Sequence, residues 1–137
     1  SAVDYGVLPL EGLWWADDMN SFASGNKDAW KWTAMIMQPK LVTQALVSEA
    51  LEQVKKKKNL PALPKLRFES FCEGLSVQIM YFGAYADEAP TIKKLHDYMM
   101  QNGYAFNGKH HEIYLTDPRN AAPEKNKTIL RQPITKK

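Results

Sequence analysis

The sequence has few of the residues from which disulfide frameworks and metal centres are built. Its 137 residues include one cysteine, Cys72, and three histidines, His96, His110 and His111. A lone cysteine cannot form an internal disulfide, and disulfides are typical of secreted proteins, so we expect a cytoplasmic protein. No further histidine or cysteine completes the three or four ligands that a zinc ion needs. We therefore predict no metal site.

Long apolar runs, phosphate-binding glycine loops and nucleophile motifs are also missing. No apolar stretch reaches the roughly 18 residues of a membrane span, so no membrane partner is expected. No glycine-rich loop followed by a helix is present to hold a nucleotide, and no GxSxG motif supplies a nucleophilic serine. We expect no cofactor.

Positive charge is in only mild excess, with a formal net charge of +3. Its densest source is Lys55–Lys58, which ends a predicted helix, where cations complement the negative end of the helix dipole. The sequence has no helix-turn-helix pattern, zinc-finger spacing or ribonucleoprotein signature. Direct binding of nucleic acid is therefore not expected.

What the chain does have is the length and composition of one globular domain, residues 1–137, with 45% hydrophobic residues. Its patterns predict an α+β fold with an antiparallel sheet and helices packed on one face, because hairpins alternate with helices. The predicted strands are 5–16, 29–38, 66–72, 75–83, 110–116 and 127–134, and the predicted helices are 39–57 and 91–101. A turn at Glu73-Gly74 predicts that 66–72 and 75–83 form a hairpin.

A weak internal repeat suggests two related halves. "EGLWWADD" aligns with "HEIYLTDP" when Asp17 is placed on Asp117, so that Trp14 falls on Tyr114. The second half reads as strand, helix, strand, strand. The first half ends in a similar strand pair but lacks the opening strand and helix of such a module.

The stretch "HHE" at 110–112 has the composition of a metal site but not its geometry. Neighbouring side chains of a strand point to opposite faces, so His110 and Glu112 share one face and His111 lies on the other. Glu112 also shares its face with Tyr114, whereas Ile113 is on the face that we expect the helices to cover.

A carboxylate among aromatic rings has two uses. When ionised it attracts a cationic aromatic ligand, with help from cation–π contacts. When partly desolvated it can act as a general acid or base. An exposed Glu112 beside aromatic residues of the core is the alternative.

Four segments resemble a known family, the GyrI-like small-molecule-binding domains. They are "PLEGLWW", "KWTAMIMQP", "FESFCEGLSVQIMYFGAYADEAPTIKKLHDYMMQNGY" and "GKHHEIYLTDPRNAAPEKNKTILRQP". The resemblance covers nearly the whole chain and is strongest to the stand-alone bacterial branch, which includes cyclopropanoid cyclopropyl hydrolases.

The resemblance implies two strand–helix–strand–strand modules around a central ligand cavity. It also implies that the domain is N-terminally incomplete, with one strand and one helix absent before Ser1 or supplied by another chain. Exposed edge strands seek partners, so a homodimer is a further expectation.

The resemblance also implies site residues. The family's cavity glutamate on the penultimate strand matches Glu112, and we place Tyr114 and Trp14 beside it as ligand-binding residues. Further candidates for ligand binding are Trp32, Tyr81 and Tyr85.

The leading function is binding of planar aromatic or cationic small molecules, for sequestration or detoxification. One alternative is hydrolysis of cyclopropanoid DNA-alkylating compounds, with Glu112 and Tyr114 as catalytic residues. Tyr81 stands where relatives commonly have a histidine, and this departure counts against hydrolysis. The other alternative is the effector-binding part of a transcription regulator.

Overall fold

The computed structural model describes residues 3–18 and 27–137. These residues fall into two compact units, the described parts of 1–36 together with Glu73–Lys137, and Met37–Cys72. The first unit contains the whole of the described β-sheet and one α-helix, and the second contains the other α-helix.

The described sheet has six strands, and every neighbouring pair is antiparallel. The strand order is β2-β1-β5-β6-β3, and β4 pairs with the C-terminal end of β6. This arrangement confirms the predicted α+β class with an antiparallel sheet. The strands are β1 (Leu10–Trp15), β2 (Lys31–Ile36), β3 (Ser76–Phe82), β4 (Tyr104–Phe106), β5 (His110–Tyr114) and β6 (Lys127–Lys136).

Both predicted helices are present, as α1 (Gln44–Lys57) and α2 (Ala89–Gln101). Thr43 caps α1 by accepting a hydrogen bond from the Leu46 backbone N–H at 3.3 Å. Gly103 follows α2 with a φ of 75°, a conformation that favours glycine, as the predicted helix end requires. No helix in the described part of the chain is both long and apolar enough to cross a lipid bilayer.

The predicted hairpin between 66–72 and 75–83 is wrong. The structure has no strand at 66–72, and the antiparallel partner of β3 is β6, from Ser76 opposite Pro133 to Phe82 opposite Lys127. The local turn signal at residues 73–74 was therefore overridden by a pairing between strands that are distant in the sequence.

The core shows which face of the sheet α2 covers. Ile92 of α2 packs with Tyr81 and the fully buried Leu130. Leu130 lies directly opposite Glu112 in the β5–β6 ladder, and directly opposed residues share a face. Helix α2 therefore packs on the Glu112 face, and the expectation that it covers the Ile113 face is wrong.

The opposite face of the sheet carries a buried polar cluster around His111. His111 is 2% exposed, with Nε2 2.7 Å from Glu11 Oε1 and Nδ1 2.5 Å from Glu73 Oε2. Arg131 approaches the same Glu73 oxygen at 4.0 Å. These contacts confirm that His111 points away from Glu112, and they supply polar partners for groups that would be costly to bury alone.

Adjacent methionines of α2 give a test of this packing. Met99 is 0% exposed and Met100 is 47% exposed. We expect Met99→Ala to lower the free energy of unfolding by about 2–5 kcal/mol, because it leaves a cavity in the core. Met100→Ala is the matched control and is expected to cost less than about 1 kcal/mol. Urea denaturation followed by circular dichroism measures both, and equal losses would contradict the placement of α2.

Candidate ligand cavity

A cavity of about 810 Å³ opens on the Glu112 face of the sheet. Its walls come from β1 and β5, from the segments before β1 and after β5, and from the residues that lead into α2. The lining residues are Val7, Pro9, Leu10, Trp14, Trp30, Tyr85, Glu88, Glu112, Tyr114, Leu115, Thr116, Asp117, Pro118 and Arg119.

Glu112 is a buried carboxylate held by several hydrogen-bond donors. Its Oε2 lies 2.8 Å from His110 Nε2, and its Oε1 accepts a hydrogen bond from the Tyr114 hydroxyl at 3.1 Å. Burial by itself raises the pKa of Glu112, but the hydrogen bond and electrostatic interaction with His110, then side-chain interactions with Glu88 and Tyr114, bring the pKa below its ordinary value. The Glu112 side chain is therefore ionised at neutral pH.

Tyr114 links this carboxylate to the aromatic wall. Its hydroxyl oxygen accepts a hydrogen bond from Trp14 Nε1 at 3.0 Å while the hydroxyl donates to Glu112. Burial, and then the neighbouring negative charge of Glu112, raise the pKa of Tyr114 far above its ordinary value. Tyr114 is therefore a neutral hydrogen-bond donor at neutral pH.

Gly12 provides the space that this arrangement needs. It lies on β1 directly opposite Glu112. A Cβ atom at Gly12 would lie 2.7 Å from Trp14 Nε1 and 3.1 Å from the Tyr114 hydroxyl oxygen. Glycine at this position thus allows the indole and the phenol to meet over the strand.

Two more aromatic rings extend the wall. The Tyr85 ring meets Tyr114 edge-on, with ring centroids 5.7 Å apart, and Trp30 meets Trp14 edge-on at 6.1 Å. Burial, and then the charge of Glu112, raise the pKa of Tyr85, so this ring is also neutral. The carboxylate is therefore surrounded by neutral rings, and their π-faces attract cations.

An exposed ion pair lies at one side of the cavity. Arg119 Nη2 donates to Asp117 Oδ2 at 2.6 Å, and Arg119 Nε also contacts this carboxylate. These hydrogen bonds lower the pKa of Asp117 to about 2. The pair adds little net charge to the lining.

The predicted site residues divide into two groups. Glu112, Tyr114, Trp14 and Tyr85 all line the cavity. Trp32 does not belong to its lining, and is 64% exposed with its ring centroid 6.3 Å from that of Trp14.

Tyr81 is also outside the lining of this cavity. It belongs to the core cluster, and its hydroxyl donates to the Ala84 carbonyl at 2.7 Å. Among the residues that the structure describes, no group of three or more His, Cys, Asp or Glu side chains could hold a metal ion.

Sequence reasoning missed the other ten lining residues, among them Glu88 and Trp30. Glu88 forms the N-terminal boundary of α2, so its position at the helix entrance was the available signal. Trp30 precedes β2 instead of lying within it, so strand alternation gave no guide to its direction.

The sequence matches the GyrI-like small molecule binding domain over residues 5–134, so the chain belongs to this family. No curated protein matches it significantly.

Three of the solved structures that are similar to this chain are of proteins from Listeria innocua. One, an uncharacterized conserved protein, has 40% sequence identity and a TM-score of 0.83, covering 98% of this chain and 67% of its own. Two described as hydrolases have 39% and 38% identity with TM-scores of 0.78 and 0.79, covering 97% and 96% of this chain. The chain spans 65% of the length of each hydrolase.

Substitution of Gly12 tests the geometry of the cavity wall. We expect Gly12→Ala to displace the Trp14 indole, because the added methyl group has no room beside Nε1. The NMR resonance of the Trp14 indole N–H should then shift as its hydrogen bond to Tyr114 lengthens. Gly6→Ala is the control, since a Cβ there meets nothing within 4 Å. An unchanged Trp14 resonance in Gly12→Ala would contradict the described contact.

Proposed function

We propose that this domain binds planar aromatic cations in the cavity, with Glu112 as the counter-ion, and so sequesters them. The observation that carries the proposal is an ionised, buried carboxylate at the wall of an 810 Å³ cavity lined by four aromatic residues, Trp14, Trp30, Tyr85 and Tyr114. Membership of a small-molecule-binding family supports the same reading.

The energetics favour a cation over a neutral ligand. An ion pair is stronger in a partly desolvated cavity than in water. A cation over an aromatic ring adds about 2 kcal/mol when the contact is desolvated. The volume is within the range of small-molecule sites, and most of the walls are apolar or aromatic, which suits a flat ring system.

Replacement of the counter-ion tests this function. We expect Glu112→Gln to weaken binding of ethidium, a planar aromatic monocation, by at least about tenfold, which corresponds to about 1.4 kcal/mol. Quenching of tryptophan fluorescence measures the affinity, because Trp14 and Trp30 line the cavity.

Glu124→Gln is the matched control, since Glu124 is exposed and lies outside the cavity lining. It should bind ethidium as the wild type does. Equal affinities for the wild type and Glu112→Gln, with both folded by circular dichroism, would refute the role of the carboxylate.

We propose hydrolysis as a second function, because two of the similar solved structures are described as hydrolases. The substrate class, a cyclopropanoid electrophile, is the one that the family resemblance of the sequence implies. In this reaction Glu112 accepts a proton from a water molecule, and the oxygen of that water forms a bond to a cyclopropane carbon. The strained carbon–carbon bond breaks, and its electron pair moves onto the conjugated carbonyl, whose oxygen takes up a proton. The product contains one added water.

Turnover decides between binding alone and hydrolysis. If the protein is a hydrolase, incubation with a spirocyclopropyl dienone yields a product heavier by one water molecule, detected by mass spectrometry. Glu112→Gln should then slow formation of this product by about 100-fold or more, because the proton acceptor is lost. Binding of the dienone without any product would refute the hydrolase and leave sequestration.

A further inference from the structure

His110 contacts Glu112 but does not itself line the cavity. It is 2% exposed, and its Nε2 lies 2.8 Å from Glu112 Oε2. We propose that His110 is a positioning residue that keeps Glu112 ionised, and so decides whether the cavity carries the negative charge that attracts a cation. This role of His110 rests on the proposed function, and it adds a residue that acts on the ligand only through Glu112.

A carboxylate as deeply buried as Glu112 is ionised only if hydrogen-bond donors replace the water that it has lost. Glu112 is 5% exposed, and each of its oxygens has its own partner. The Tyr114 hydroxyl donates to Oε1 at 3.1 Å, and His110 Nε2 lies 2.8 Å from Oε2. Loss of the contact with His110 would leave Oε2 with less compensation for its burial.

The contact also fixes the direction of the hydrogen bond. An ionised carboxylate can only accept, so the hydrogen lies on His110 Nε2. A neutral imidazole can carry this hydrogen, so His110 needs no net charge for this role.

The balance at Glu112 shows the direction of the effect. Burial raises the pKa of Glu112, and among the groups that lower it His110 comes first, before Glu88 and Tyr114. Without His110, only the smaller contributions would oppose burial, so the pKa of Glu112 should rise and the side chain should take up a proton.

The other groups around Glu112 do not replace His110 as a donor to Oε2. Gly12 of β1 and Leu130 of β6 lie directly opposite Glu112 in the sheet and carry no charge. All of these neighbours remain when His110 is replaced, so a change on replacement reports on His110 itself. The ionisable groups near the pair are Tyr85 and Glu88 from the residues that lead into α2, His96 from α2, Tyr114 from β5, and Asp117 with Arg119 from the segment after β5.

The charge of Glu112 can be measured without a ligand. His110→Leu removes the donor and keeps the position apolar, whereas His110→Gln retains an amide N–H donor. At about pH 7 the infrared spectrum of His110→Leu should gain the carbonyl stretch of a protonated carboxyl group, relative to the wild type and to His110→Gln. Addition of Glu112→Gln to His110→Leu should remove the gained band, which assigns it to Glu112.

A folded His110→Leu without the band, or the same band in His110→Gln, would overturn the role of His110. The wild type gives a further test that needs no variant. Nitrogen-15 NMR of the His110 ring should show a hydrogen on Nε2, and a ring with its only hydrogen on Nδ1 would also overturn it.

Cation binding should follow the charge of Glu112. At about pH 7 His110→Leu should bind ethidium at least about tenfold more weakly than His110→Gln, and its affinity should rise with pH by at most about tenfold per pH unit as Glu112 loses its proton. His110→Gln should show no such rise. Both variants lack the imidazole, so titration of His110 does not enter the comparison.

Parallel pH profiles for the two folded variants would refute the role of His110, because a histidine needed only for structure would weaken binding equally at every pH. If the wild type does not bind ethidium at all, the proposed function fails instead. The infrared and NMR measurements still decide in that case whether His110 keeps Glu112 ionised.

Discussion

The pairing of β1 with β5 is the constraint on which the cavity depends. Its register sets Gly12 opposite Glu112, Leu10 opposite Tyr114 and Trp14 opposite His110. A shift of one residue would turn the side chains of one strand to the other face and separate Trp14 from Tyr114. The same pairing joins β1 and β2 to the strands that pack against α2, so it is required both for the sheet and for the site.

Alternation along β5 lets one strand serve two separate buried polar clusters. His110 and Glu112 lie on the cavity face, and His111, between them in sequence, contacts Glu11 and Glu73 on the other face. Both histidines are 2% exposed. The His111 cluster can hold β1, β5 and the start of the β3 segment together without adding charge to the cavity. The adjacent histidines therefore belong to separate clusters, His110 beside Glu112 on the cavity face and His111 between Glu11 and Glu73 on the other.

Much of this structure could be predicted from local sequence patterns, and the failures share one cause. Strand alternation placed Glu112 and Tyr114 on one face, and the half-repeat brought Trp14 to the same place. The pairing partner of a strand, however, depends on contacts between distant segments of the chain. The turn signal at 73–74 therefore suggested that residues 66–72 pair with β3, whereas β3 pairs with β6. Glu88 reaches the cavity only because α2 packs on the Glu112 face, and no local pattern in the sequence indicates on which face a helix packs.

In the proposed binding function, the groups around Glu112 favour a class of ligands over one shape. His110 and Tyr114 hold the carboxylate in place before a ligand arrives, so binding would cost little reorganisation of the site. Because the carboxylate oxygens already have hydrogen-bond partners, attraction to a ligand comes mainly from charge, which has no strict directional requirement. Tyr85 meets Tyr114 edge-on and Trp14 meets Trp30 edge-on, so each ring offers a flat apolar face at a steep angle to its neighbour. In the proposed binding function, a charge interaction beside such ring faces selects for positive charge and aromatic character, and it tolerates variation in the outline of the ligand.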